Sequence, residues 1–256
     1  MKNVIQITLF CLTMGLAMDA QSKVYTDRMY AELLAKYVHN GVVNYRSLKS
    51  DSALYRFVHS LENVNPDSLP NESSRLAFWL NDYNANTLKL ICEHYPIKSI
   101  NDIHDSINGR PSHRTPWEKP FIVSLGNRMS LNNVEEYFVR MRFHDPRAHF
   151  ALVCASRSCP PLRTEPYHGE NLNAQLDEQA RLFLNDTSKN VFDVSHRTAT
   201  LSKIFDWYSK DFGGTNESIL RFVAKFLPSP LAQDILGNLS AWKITYKNYD
   251  WSLNSE

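Results

Sequence analysis

The stretch that decides the fold is ESSRLAFWLNDYNANTLKLICEH, residues 72–94. Asn71 precedes it as a helix N-cap, and Pro96 follows closely enough to end a helix. Within the stretch, apolar and small residues recur at the spacing of one buried helical face. The members of this face are Ala77, Leu80, Thr87, Leu88, Ile91 and Cys92. The pattern predicts one long helix packed against a core.

Two asparagines, Asn81 and Asn84, lie on the same face of this helix. Burying an amide without partners costs about 1–3 kcal/mol, so both side chains must form hydrogen bonds. They either brace the backbone of a neighbouring loop or strand, or line a polar pocket. We favour bracing, because most buried amides are structural. Cys92 is most simply a small core residue.

The rest of the chain is typical of a mainly helical protein with a few short strands. Prolines and Asn-Gly or Gly-Gly pairs separate the elements, and no stretch has the composition of an interdomain linker. We therefore predict an α+β fold, a mainly helical single domain over residues 21–256 with a small antiparallel sheet. Further helices are predicted at about residues 26–37, 51–61, 131–141, 172–184 and 202–212, and strands at about 121–129, 149–154 and 242–251.

The first 20 residues have the pattern of a signal peptide. Lys2 gives a positive start, residues 4–18 are apolar but too short to span a bilayer, and Ala20 suits cleavage. The alternative is a buried N-terminal helix, which the polar QSKVYTDR that follows makes less attractive. We expect an exported protein, periplasmic or secreted, with no transmembrane segment elsewhere.

Composition and motifs exclude several classes of function. The chain has 256 residues, is 43% hydrophobic and has a formal net charge of +1, so it has no general attraction for nucleic acid. It lacks a P-loop, G-x-G-x-x-G, G-x-S-x-G and H-E-x-x-H. We therefore predict no cofactor and no nucleic-acid partner.

The clearest candidate site is ALVCASRSCPPL, residues 151–162, with Cys154 and Cys159. A disulfide is the interpretation we favour, because four intervening residues allow the Cα atoms to approach within about 7 Å and export favours oxidation. A zinc site is a second interpretation, with His149 and His168 as further ligands. Two separate buried thiols are a third.

The fourth interpretation makes Cys154 a nucleophile, which needs a base and an orienting group. His149 is a poor base if residues 149–154 form a strand, because it would lie about 17 Å away and on the opposite face. His113, in the polar segment before Trp117, is freer to approach. Asn84 or Asn81 would then orient the base or donate to an oxyanion.

Several residues around this loop suit a ligand. Arg157 and Arg163 flank it and suit a bidentate contact with an anion, although a solvated loop edge is the simpler interpretation. Trp117 belongs to the polar segment 101–120, which we expect to close a cleft near residues 149–163. Aromatic residues that suit a sugar- or peptide-binding groove, but that are more often core, are Trp79, Tyr83, Trp117, Trp207 and Tyr208.

A family resemblance rests on five segments that occur in order. They are LAFWLNDYNANTLKL (76–90), PWEKPFIVSLGNRMSLNNVEEYF (116–138), DPRAHFALVCASRSCPPLRTEPY (145–167), KIFDWYSKDFGG (203–214) and YDWSLN (249–254). Together they resemble the DUF547 family, a domain of unknown function common in exported bacterial proteins. The resemblance implies a single exported globular domain and brings almost no biochemistry.

Two functions follow from these observations. The first is a non-catalytic envelope domain that binds an unidentified small molecule, peptide or envelope partner in a cleft rigidified by a 154–159 disulfide. The alternative is a cysteine-dependent hydrolase or transferase that acts on an amide or ester bond, with Cys154 as nucleophile.

Overall fold

The long helix runs from Glu72 to His94, as the sequence predicts, and the Asn71 side chain accepts from Ser74 N at 2.8 Å. The computed structural model describes residues 26–107 and 110–256, so the predicted signal peptide lies outside the described residues. Every residue from Leu76 to Cys92 except Lys89 is buried. The helix is therefore enclosed on nearly all sides, where the sequence pattern predicted one buried face. We call it the central helix.

The fold is mainly helical, as predicted. Further α-helices are Arg28–Tyr37, Tyr45–Leu48, Ser52–Leu61, Leu131–Asn133, Met141–Phe143, Leu172–Leu184, Ile204–Trp207, Asn216–Ala224 and Ser229–Gly237. A π-helix covers Val134–Arg140, and 3₁₀ turns cover Pro66–Ser68, Ile100–Asp102, Pro146–Phe150, Ser209–Phe212 and Leu239–Ala241. Among the described helices, none has the length and apolar character needed to cross a bilayer.

The strands are short and form small separate sheets. Three antiparallel pairs are Val38–His39 with Val42–Val43, Ser106–Ile107 with Arg110–Pro111, and Ile122–Ser124 with Asn127–Met129. A three-stranded sheet contains Val191–Asp193, Thr198–Leu201 and Lys243–Tyr246. Its first pair is antiparallel, and Thr198–Leu201 and Lys243–Tyr246 run parallel. The pairing of these strands is therefore antiparallel, as predicted, apart from this one pair.

Two apolar clusters form the core. The larger one surrounds the central helix and includes Phe78, Leu80 and Ile91. The smaller one collects residues mainly from the C-terminal third of the chain. Phe150 belongs to the smaller cluster, where its ring lies 5.0 Å from that of Phe183, while Ala148 and Ala151 belong to the larger one. The segment around Phe150 therefore joins the two clusters.

The predicted strand at residues 149–154 is wrong. Pro146–Phe150 forms a 3₁₀ helix, which Asp145 caps by accepting from Arg147 N at 3.0 Å. The Asn84 side chain holds the backbone that follows, since it donates to Ala151 O and accepts from Val153 N. These hydrogen bonds take the place of those that a neighbouring strand would form. An apolar run alone does not distinguish these two ways of satisfying a buried backbone.

Candidate functional site

A cavity of about 260 Å³ opens where the two apolar clusters meet. It collects segments from six parts of the sequence, from the central helix to residues 249–251. Its aromatic lining residues are Tyr83, Trp117, Trp207, Tyr208, Tyr249 and Trp251. The remaining lining residues are Thr115, Asn132, Glu135, His149, Leu152, Cys154, Cys159, Pro160 and Ile204.

His149 lies in the cavity wall and is only 5% exposed. Its Nε2 lies 2.7 Å from Asp211 Oδ2, and Arg140 donates to the same carboxylate through Nε at 2.7 Å. The hydrogen bond from His149, together with that from Arg140, holds the pKa of Asp211 well below its usual value. Asp211 is therefore ionised and can only accept, so Nε2 of His149 carries a proton.

Glu135 is a buried acid in the same wall. The π-helix Val134–Arg140 carries it, and the Tyr208 hydroxyl donates a hydrogen bond to its carboxylate. Burial raises the pKa of Glu135, while this hydrogen bond and the charges of His149 and Arg140 oppose the rise. Burial, followed by the nearby Glu135 charge, raises the pKa of Tyr208 far above its usual range, so the phenol stays a donor.

Two side chains, His149 and Arg140, pack against the Tyr208 ring. The imidazole of His149 stacks on it with ring centres 4.1 Å apart, and the Arg140 guanidinium lies 4.8 Å from the ring centre. These contacts join the Glu135 and Asp211 parts of the site into one network.

The two cysteines of the loop lie at disulfide distance, with their Cα atoms 6.3 Å apart. Both line the cavity, and the Tyr249 hydroxyl lies 3.4 Å from Cys154 Sγ and 3.3 Å from Cys159 Sγ. Ser156 Oγ donates to the same phenol at 3.2 Å, and burial raises the pKa of Tyr249 to about 12. The geometry fits the disulfide interpretation. Cys92 is free and buried, as expected of a core residue.

The aromatic wall is continuous. Trp251 lies 5.4 Å from Trp117, 5.7 Å from Trp207 and 4.5 Å from Tyr249, measured between ring centres. Trp117 comes from the segment that we expected to close the cleft, and Trp251 from the end of the chain. Trp207 is 46% exposed, so the wall reaches the protein surface.

Asn81 and Asn84 brace backbone, the role that we favoured. Asn81 donates to Tyr167 O at 2.8 Å and accepts from Tyr167 N at 2.9 Å. Asn84 donates to Ala151 O and accepts from Val153 N, both at 2.9 Å. Neither asparagine lines the cavity. Asn84 therefore affects the Cys154 loop by holding the backbone of residues 151 and 153.

The remaining predicted site residues are divided between the cavity and the surface. Trp117, His149, Cys154 and Cys159 line the cavity, whereas His113 and Arg157 are exposed and lie outside its lining. Arg163 lies in a separate surface depression, where Glu165 and Glu178 pair with it at 2.5 and 2.7 Å. The structure therefore does not bring His113 or the two arginines to the cavity.

The metal interpretation gains no support from the geometry. His168 pairs with Asp27 at 3.1 Å, and His149 is bound to Asp211. Within residues 26–107 and 110–256, no group of three or more histidines, cysteines or carboxylates is arranged to hold a metal ion.

Glu135, Tyr249 and Trp251 were not singled out from the sequence. The other four aromatic lining residues were named as suited to a binding groove, and they are Tyr83, Trp117, Trp207 and Tyr208. Glu135 lies near the start of the predicted helix at about residues 131–141, where the helix dipole stabilises a carboxylate without any functional role. Tyr249 and Trp251 fell in a predicted strand. A usable signal was nevertheless present, because Glu135, Tyr208, Tyr249 and Trp251 all lie inside the segments that carry the family resemblance.

Comparison with known proteins gives one result. Residues 66–184 match the family described as "Protein of unknown function, DUF547", which confirms the resemblance noted in the sequence. The match includes Tyr83, Glu135, His149 and both loop cysteines. No curated protein and no solved structure is significantly similar to the chain.

Proposed function

We propose, from the chemistry of its cavity, that this chain, which matches the DUF547 family over residues 66–184, is an exported ligand-binding domain. The ligand is a small molecule, or the end of a peptide or envelope partner. The observation that carries the proposal is the cavity itself, in which a continuous aromatic wall faces a buried Glu135–Tyr208 pair.

The composition of the lining supports binding. Ligand sites are concave, mainly apolar, and contain a few polar groups that fix orientation. This cavity has that character, with a volume of about 260 Å³ that suits a small ligand or one moiety of a larger one. Trp207, 46% exposed at its wall, is a large apolar surface that a ligand would cover.

The cysteine-dependent hydrolase is the weaker candidate. A nucleophilic cysteine acts as its thiolate, and a sulfur bonded to Cys159 has none. Among the described residues that line the cavity, His149 is the only histidine, and it directs its protonated Nε2 at Asp211. A base for Cys154 would therefore need both reduction of the disulfide and rearrangement of this hydrogen bond.

Isothermal titration calorimetry tests the binding proposal with three probes, which are choline, N-acetylglucosamine and the dipeptide Ala-Ala. We expect saturable binding of at least one probe by the wild type. Trp207→Ala should weaken that binding about tenfold, because it removes stacking surface. Tyr137→Ala is the matched control, since Tyr137 is also an exposed aromatic residue, 59% exposed, but lies outside the lining. Absence of binding to all three probes, or equal losses in both variants, would contradict the proposal.

A further inference from the structure

We propose that the ligand of this cavity carries a positively charged amine, which rests against the tryptophan and tyrosine rings with Glu135 as its counter-ion. The inference rests on the proposed function and names the ligand class. An ammonium or quaternary ammonium group is attracted to the faces of aromatic rings, and tryptophan is the strongest of these.

The charge of the lining is the first argument. Among the described residues that line the cavity, none is lysine or arginine, and the one carboxylic acid is Glu135. An anionic ligand would find no lysine or arginine in the described part of this wall, and its one imidazole, His149, is already bound to Asp211. A neutral ligand would leave the buried acid without a specific role.

Glu135 is the second argument. It is 8% exposed, and within the described chain no lysine or arginine forms an ion pair with it. Its partner is the neutral phenol of Tyr208. A buried carboxylate that makes no ion-pair contact is costly as an anion, and a cationic ligand would supply that contact.

The nearest basic side chain does not compete for this role. Arg140 is held by Asp211 through Nε at 2.7 Å and Nη2 at 3.1 Å, and it also pairs with Glu136. Its charge is thus compensated by two carboxylates outside the lining. His149 directs Nε2 at Asp211, which keeps that proton away from the ligand space.

The aromatic wall is the third argument. Trp251 is in ring contact with Trp117, Trp207 and Tyr249, and all four rings line the cavity. Three indoles in one small cavity give a cation several ring surfaces at once, and their mutual packing holds them in place before the ligand arrives.

The test compares a cation with its neutral isostere on the full chain. Choline and 3,3-dimethylbutan-1-ol have nearly the same shape and differ in the charge of the central atom. We expect the wild type to bind choline at least about tenfold more tightly, measured by calorimetry. Glu135→Gln should remove most of this preference and leave binding of the neutral alcohol unchanged. Glu170→Gln, which alters an exposed acid outside the lining, should keep the preference.

Equal affinities of the wild type for choline and the alcohol would overturn the inference, and this comparison needs no variant. Equal effects of Glu135→Gln and Glu170→Gln would overturn the role of Glu135. A third outcome is that N-acetylglucosamine or Ala-Ala binds in a way that depends on Trp207, whereas choline does not bind. It would overturn the inference that the ligand carries an amine and leave the proposed function standing. Failure of all probes would remove both.

Discussion

Asn84 shows how one buried side chain sets the path of the backbone at the cavity. Its amide replaces the strand partner that the apolar run after His149 would otherwise need, by pairing with Ala151 O and Val153 N. Asn84→Ala should lower the free energy of unfolding by about 2–4 kcal/mol, because both backbone groups lose a buried partner. Urea denaturation measures this loss.

Asn81→Ala is the matched variant, since Asn81 braces Tyr167 with the same pair of bonds. We expect a similar loss of stability from it. Only Asn84→Ala should also weaken ligand binding, because Leu152 and Cys154 of the released loop line the cavity. A loss below about 0.5 kcal/mol for Asn84→Ala would show that this brace is dispensable.

Asp82 gives a prediction of pH dependence. It is 3% exposed, its carboxylate accepts from Asn86 Nδ2 at 3.0 Å, and burial raises its pKa to about 7. The folded state then holds a proton that the unfolded state loses near pH 4, so stability falls as the pH rises from about 4 to about 7. Asp82→Asn should flatten the stability curve across this window.

Thermal or urea unfolding at several pH values measures this slope. The exposed Glu170 provides the control, and Glu170→Gln should keep the wild-type slope. An unchanged slope in Asp82→Asn would mean that Asp82 titrates in the folded protein as it does in water.

At the scale of elements, periodicity located the helices well. Ser52–Leu61 and Leu172–Leu184 agree with prediction to within a residue or two, because each has one apolar face and a clear end.

The prediction of a strand at residues 149–154 is wrong for a physical reason. The apolar residues of this segment face two clusters at once, and its backbone partners come from Asn84 and from the C-terminal segment, where Asn254 N donates to Ala155 O at 3.0 Å. Neither partner is visible in the local sequence.

The disulfide between Cys154 and Cys159 gives a testable prediction at the scale of elements. Mass spectrometry after alkylation in denaturant should gain two labels upon reduction, both in the peptide that contains residues 154 and 159. The double variant Cys154→Ala/Cys159→Ala should lose about 2 kcal/mol of stability, the chain-entropy contribution of so short a loop.

The single variant Cys159→Ala separates the two functions. It frees Cys154 beside Tyr249, whose hydroxyl lies 3.4 Å away. We expect an ordinary thiol, with a rate of alkylation that rises steeply only above pH 8. Rapid alkylation of Cys154 at pH 6, or hydrolysis of a model ester by this variant, would favour the cysteine-dependent enzyme instead.

At the scale of the whole molecule, the sequence identified some of the residues that line the cavity but not how distant segments come together to form it. Trp117, His149 and the two cysteines were singled out from local patterns. Glu135, Tyr249 and Trp251 were not singled out, and they reach the cavity because the two apolar clusters meet along the segment around Phe150. Such juxtapositions depend on long-range packing, which leaves no periodic mark in any single segment.

Export is the prediction that concerns the entire chain. If residues 1–20 are a signal peptide, the exported protein begins at Gln21 and lacks Cys11, so complete reduction and alkylation label three cysteines. Leu12→Arg should block export, because a charge interrupts the apolar region, whereas Ser22→Arg, beyond the cleavage point, should not. Intact mass of the protein from the periplasm or medium measures both points. A full-length product with four labelled cysteines that stays in the cytoplasm would favour the buried N-terminal helix. The disulfide and the proposed site would then have to be reconsidered for a reducing compartment, where Cys154 and Cys159 would be free thiols facing the same aromatic wall.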